Sequence, residues 1–279
     1  MLQLVKMAAV GWWNDRAMSL GASISFFTVF SLAPMLLAAV SVAGLLFGRQ
    51  AAQGAVVAEL GGLAGDDVAQ ALDAMIANVS DFGSGVIGTT IGVVTFLIVA
   101  TGAFVEIQDS LNLIWKAKPS GSGIGAFLRT RAVSLALVLG IGFLLLVSLL
   151  LDAAIGAAGT YLEARYSEAV TVLAILNSLV ALVMATLLFA AIFKVLPAVR
   201  LAWRDVWIGA LVTGVAFTFG KVLIGLYIGR SGVTSTFGAA ASLITILLWI
   251  YYSSLILLFG AEFTKVYAET RGSRAGRRG

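Results

Sequence analysis

Long apolar runs alternate with polar connections along this chain, and their lengths predict six membrane-crossing helices. The runs fall at about 19–47, 84–106, 127–151, 169–195, 206–229 and 237–263. Val86 to Ala103 contains no charge and is long enough, at roughly 1.5 Å per residue, to cross a hydrocarbon core. Directly behind it the pattern changes. Glu106, Gln108, Asp109 and Asn112 gather on one side of a helical wheel, while Ile107, Leu111, Ile114 and Trp115 take the other. The second span therefore leaves the bilayer as an amphipathic helix, and Trp115, Lys116 and Lys118 form its interfacial aromatic and basic flank.

Before the first span, residues 1–18 carry Lys6, Asp15 and Arg16 with Trp12 and Trp13, which predicts an interfacial helix and not a cleavable secretory signal. Pro34, near the middle of the first span, removes a backbone donor and marks either a packing kink or a hinge. The segment 48–83 holds Glu59, Asp66, Asp67, Asp73 and Asp81 and reads as an external loop. Within it Val68, Leu72, Met75, Ile76 and Val79 recur at helical spacing, so an amphipathic helix is expected there. The membrane domain extends over 19–267, and 268–279 is a basic tail expected to be loose near anionic headgroups.

Composition changes this picture only by narrowing it. A mean hydropathy of +1.03, 60% hydrophobic and 11% charged residues leave too little polar surface for a soluble globule. The fold class is all-α and polytopic. Cysteine and histidine are both absent, which removes thiol nucleophiles, imidazole catalysts, disulfides and the commonest transition-metal ligands. No catalytic, cofactor or metal site is expected, and the chain is not read as an enzyme. The net charge of +4 resolves once its positions are mapped. Of 18 Lys and Arg, Lys6, Arg16, Lys116, Lys118, Arg129, Arg131, Lys194, Arg200, Arg204, Lys265 and the four tail arginines fall on one side. Only Arg49, Arg165, Lys221 and Arg230 lie in or toward the other, so both termini are expected in the cytoplasm. This explains the basic excess without nucleic acid as a partner.

Four separated blocks carry a resemblance. NDRAMSLGASISFFTVFSLAP at Asn14–Pro34, AFVEIQDSLNLIW at Ala103–Trp115, FKVLPAVRLAWRDVWIGALVTG at Phe193–Gly214 and STFGAAASLITILLWIYYSSLILLFGAEF at Ser235–Phe263 resemble the YihY/BrkB family. The resemblance covers almost the whole chain. It implies a six-helix protein of the bacterial inner membrane, with serum resistance linked to one pathogen's member and lipid export suggested for others. It carries over no set of catalytic residues. Some members bear the label ribonuclease BN. Metal-dependent phosphodiester cleavage needs clustered carboxylates or histidines on a surface RNA can reach. Here Asp15, Glu106, Asp109, Asp205, Glu262 and Glu269 are dispersed over helix ends among cations, so ribonuclease activity is not expected.

Candidate functional residues are the ionisable and polar groups within the spans, which are costly there unless partnered or solvated. Lys221 lies roughly 12 Å from the outer end of the fifth span and shares a stripe with Ala210, Gly214, Thr218 and Gly225. The alternatives for it are a bundle interior or cavity, and snorkelling to the headgroups. In the sixth span Tyr251, Ser254 and Glu262 share a face, with Lys265 offering Glu262 an ordinary surface pair. A relay would require Lys221, Tyr251 and Glu262 to converge. Phe82-Gly83 to Glu106 and Phe237-Gly238 to Glu262 also form a possible internal echo between the second and sixth spans.

Two function classes follow. One is a transporter or flippase for an amphiphilic or anionic envelope substrate, lipid among the options, with Lys221, Thr218, Tyr251, Ser254, Glu262, Glu106, Asp109 and Asn112 along its route and Pro34 as hinge. The other is a non-transporting scaffold or envelope-integrity protein. No GxxxxGK[ST] phosphate cradle is present, so direct ATP coupling is not expected. Membrane lipids are the expected partners, and the GxxxG pairs Gly44–Gly48 and Gly225–Gly229 suit contacts within or between subunits.

Overall fold

The computed structural model describes residues 1–31, 101–117, 124–163, 169–230 and 241–275, together with isolated positions between 48 and 57. The described chain is helical. We number its helices α1 (Leu2–Asn14), α2 (described over Ala17–Ser31), α3 (Gly102–Ile114), α4 (Ile124–Glu163), α5 (Ala169–Val195), α6 (Trp203–Arg230) and α7 (Ala241–Thr270). Three stretches among the described residues are long and apolar enough to cross a membrane: Ile175–Val195, Trp203–Tyr227 and Leu243–Thr270. The outer part of the first span, Pro34 included, and most of the second lie outside the described residues.

Short connections make consecutive long helices antiparallel neighbours. Helix α6 packs between α5 and α7, α4 packs on α5, and α3 touches both α4 and α7. The core is continuous across them: Phe104, Leu111 and Ile114 of α3 join Phe189 and Phe193 of α5, Val206 and Ala210 of α6, and Leu258 and Ala261 of α7. An aromatic ladder crosses the bundle, with Phe189 edge-on to Phe217 at 5.7 Å and Phe217 edge-on to Trp249 at 6.0 Å. Exposed Phe219, Val222 and Leu223 on α6 and Val172, Ile175 and Leu179 on α5 show the opposite, lipid-suited faces.

The closest approach is between α6 and α7. Thr264 fills the space opposite Gly209, and Thr213 fills the space opposite Gly260. Each threonine also donates to the carbonyl of the glycine four residues back on its own helix, at 2.7 Å for Thr213 and 2.6 Å for Thr264. The result is a reciprocal Gly-x-x-x-Thr clasp, in which small residues let two backbones touch and the hydroxyls need no outside partner.

Helix α1 and the last described residues, up to Ala275, sit at one end of the bundle, here called the basal end. Helix α1 runs against the second half of α7: Leu4 and Ala8 are buried with Phe263, packed by Val266 and Tyr267, and Trp12 Nε1 donates to the Leu255 carbonyl at 3.2 Å. The chain then turns through Asp15 and Arg16, the latter at φ 54°, into α2. That positive φ lets the Arg16 amide turn back on the Trp13 carbonyl at 3.1 Å.

Three extents differ from the hydropathy pattern. Helix α4 continues past Leu151 to Glu163, and α7 continues past Phe263 to Thr270. A helix ends where its backbone caps, not where the bilayer does. The tail, expected to be loose, is docked as far as Ala275: Asp205 accepts from the Ser273 hydroxyl at 2.6 Å and amide at 3.1 Å, and Arg274 lies over Trp115 at 5.7 Å.

Candidate functional site

The polar residues fall into two groups, one at the basal end and one in the opposite, outer half of α6 and α7. At the basal end several charges meet partners on other elements. Glu262 is 1% exposed, and its Oε2 lies 3.5 Å from Lys265 Nζ, one turn further along α7. Lys265 is shared: Asp15 Oδ2, from the turn after α1, approaches the same nitrogen at 3.6 Å. A methyl placed on Gly11 would stand 2.7 Å from Glu262 Oε2, so only glycine lets α1 lie over that carboxylate. The pairing of Glu262 with Lys265 expected from their spacing is thus present, but it is buried and carries a third member from the chain's beginning.

The amphipathic helix α3 distributes its polar side chains among different neighbours. Glu106 accepts from the Ser23 hydroxyl of α2 at 2.5 Å, and Asn112 Oδ1 accepts from the Ala198 amide at 2.8 Å. Asp109 is exposed, and its carboxyl is held above the ordinary value of 3.8, first by partial burial and second by the neighbouring Glu106 charge. Just before α3, Thr101 meets Arg131 Nη1 of α4 at 2.6 Å. Lys194, at the end of α5, donates to the Leu201 carbonyl at 2.5 Å and lies over Trp203. A groove of about 280 Å³ opens at the α1–α2 turn, lined by Trp12, Trp13, Arg16, Ala17, Met18 and Ser19. Among the described residues no group of three metal-ligating side chains occurs.

Lys221 belongs to the other group. Its neighbours fix its direction: Gly214 abuts Thr186 of α5, Gly220 abuts Tyr252 and Ile256 of α7, and Phe217, one turn back, sits between Phe189 and Trp249. Lys221 therefore projects from the face of α6 turned toward α5 and α7, and it is half-buried. Along this stripe Ala210 and Gly214 are buried, Thr218 and Lys221 half-buried, and Gly225 exposed. Thr218 closes on its own helix, donating to the Gly214 carbonyl at 2.9 Å. Among the described residues Lys221 makes no ion pair or hydrogen bond.

Lys221 does not converge with Tyr251 and Glu262. The side of α7 facing α6 carries Trp249, Tyr252, Ile256 and Gly260, whereas Tyr251 and Leu255 meet Gly21 of α2 and Glu262 meets Gly11 of α1. Helix α7 stands between them. Ser254 is buried and spends its hydroxyl on the Ile250 carbonyl at 2.8 Å. The pattern of single helices placed each residue on a face but held no information about which helix that face would meet. The Gly-x-x-x-Thr repeats at 209–213 and 260–264 are sequence signals of close packing in the same way as GxxxG.

Comparison with known proteins follows the same outline. The chain is 27% identical over 271 residues to the UPF0761 membrane protein of Pseudomonas paraeruginosa, covering 93% of this chain and 61% of that relative. It is 26% identical over 280 residues to the UPF0761 membrane protein of Rhodospirillum centenum, covering 97% of this chain and 59% of that one. A UPF0761 membrane protein of an Enterobacter species is 28% identical over 209 residues, 74% of this chain and 67% of the relative. The chain thus spans about three fifths of the length of the first two of these curated relatives. No solved structure matches it. The profile of the virulence factor BrkB family matches residues 8–279, and this membrane protein belongs to that family.

Proposed function

We propose that this protein moves an amphiphilic or anionic envelope substrate across the inner membrane, with the inner face of α6 along the route. One observation supports the reading above others. A lysine well inside an apolar helix faces neighbouring helices instead of lipid, on a stripe that runs from buried Ala210 to exposed Gly225. A charge so placed is costly unless water or a ligand reaches it. The proposed frame is six spans with both termini in the cytoplasm, argued from the basic residues gathered at the basal end. The chemistry is transfer without bond making, and the drive is an ion or substrate gradient or a partner.

The contacts favour Lys221 and Thr218 for the route and give Glu106, Asn112 and Glu262 structural work at the basal end. That second observation supports the scaffold reading for the basal half. Reconstitution into liposomes with labelled envelope lipids separates the two. Transbilayer movement by the wild-type chain that falls to background in Lys221→Ala and survives in Lys221→Arg is the expected result. Background movement in all three proteins counts against transport of those lipids.

A further inference from the structure

Two buried donors on the face of α7 that meets α6 have no acceptor among the described residues. Trp249 Nε1 and Thr245 Oγ1 are both buried without a hydrogen-bond partner, and Thr245 is 3% exposed. They lie one turn apart on the α7 face that meets α6. Trp249 packs edge-on against Phe217, and Lys221 follows Phe217 by one turn on the facing helix. Most hydroxyls in this bundle satisfy themselves on the carbonyl four residues back, as Thr213, Thr218, Ser253, Ser254 and Thr264 do. Thr245 is an exception. Orphaned polar atoms also occur at Gln108, Ser110 and Ser134 on α3 and α4, and at Glu262 Oε1 on α7, whose other oxygen is paired with Lys265.

The chemistry of the set is one-sided. An indole N–H and an ammonium are donors only, and a threonine hydroxyl is able to join them. Leaving such groups dry and unpaired costs more than the bonds would return, so each calls for an acceptor. We infer that Lys221, Trp249 and Thr245 form a binding site for a phosphate-bearing anionic headgroup, held between α6 and α7 in the outer half of the bundle. Lysine supplies the charge. The indole and hydroxyl supply direction, and the Phe217–Trp249 edge contact holds the indole in place. This inference deepens the transport reading and rests on its placement of Lys221 along the route, but binding is measurable without movement.

The test uses the full chain in phosphatidylcholine nanodiscs, titrated calorimetrically with dihexanoyl-phosphatidylglycerol, with sn-glycerol phosphate and with dihexanoyl-phosphatidylcholine. Lys221→Met is expected to weaken the anionic lipid about tenfold or more and Trp249→Phe about fivefold, as loss of a charged and a neutral hydrogen bond predicts. Thr245→Val is expected to weaken it about threefold, and Lys265→Met, at the basal end, to leave it unchanged. Equal weakening for glycerol phosphate shows a headgroup site open to soluble anions, and weakening for the lipid alone shows that the acyl chains are needed. The inference is overturned if the anionic lipid binds no better than the zwitterionic one, or if Lys221→Met and Trp249→Phe bind like the wild type. Both substitutions keep bulk and apolar surface, and a thermal melt of each confirms the fold. Specific binding without liposome transport leaves the site standing and removes the transport reading.

Discussion

The basal end and the outer half of the same two helices use their polar groups differently, although orphaned atoms, Glu262 Oε1 and Ser110 Oγ among them, occur at the base as well. At the base, Glu262 shares Lys265 with Asp15, Glu106 takes the Ser23 hydroxyl, Asn112 takes the Ala198 amide, and Asp205 holds the tail at Ser273. In the outer half, Trp249 Nε1 and Thr245 Oγ1 are buried without a partner, and half-buried Lys221 makes no ion pair or hydrogen bond among the described residues. The clasp of Gly209, Thr213, Gly260 and Thr264 lies on the basal side of these groups. Polar residues inside a membrane protein thus divide by whether the fold has already used them. Partnered groups hold the helices together, and unpartnered ones are available to something else.

The comparison breaks most visibly at the clasp. Gly209→Val drives a branched side chain into Thr264, and the expected loss is about 3 kcal/mol or more of stability in detergent, read by thermal unfolding. Adding Thr264→Gly should restore part of it; no restoration would show that the two positions do not share the space. Next comes the buried pair. Lys265→Met strands Glu262 and Asp15, at an expected cost of about 2–3 kcal/mol, reduced from the fully buried case because Lys265 and Asp15 are partly exposed. Glu262→Gln together with Lys265→Met should recover most of that loss in the same assay. Removing the hydroxyl at Ser23→Ala leaves Glu106 short of a donor and is expected to cost about 1 kcal/mol.

The outer half should answer with the opposite sign. Thr245→Val replaces an unsatisfied hydroxyl by a methyl of similar shape, so stability is expected to hold or to rise by up to about 1 kcal/mol. A loss comparable to that of Ser23→Ala would erase the distinction between the two halves. The smallest effect is at Asp109. Its folded-state value is raised, so the folded protein keeps this proton to higher pH than the unfolded chain does, and stability falls as pH rises from about 4 through the raised value. Asp109→Asn should flatten that small decline in a pH series of melts; an unchanged slope would count against burial and Glu106 as the cause.

Much of this arrangement was legible because membrane helices announce themselves by length. Helix α5 begins at Ala169 and ends at Val195, at the bounds of the fourth apolar run, and the stripe from Ala210 to Lys221 follows from a period of 3.6. What the pattern lacked was adjacency. Asp15 and Glu262 are separated by most of the chain, and nothing local to either predicts that they share one lysine. Arg274 read as part of a solvated basic run, yet it covers Trp115 because Asp205 fixes the turn before it. The mean hydropathy that identifies a span also conceals its inner face, since glycine and threonine score close to neutral whether they pack or line a passage.

The bond from Trp12 to the Leu255 carbonyl joins residues 243 positions apart. During synthesis, then, the opening helix emerges and enters the bilayer surface long before its docking partner has been translated. The side chains that α7 will cover, Leu4, Ala8 and Trp12, must be sheltered in the interval by lipid or by the insertion machinery. The final helix accordingly completes the assembly by capturing the first, and a ribosome halted before codon 255 would leave α1 undocked and open to added protease.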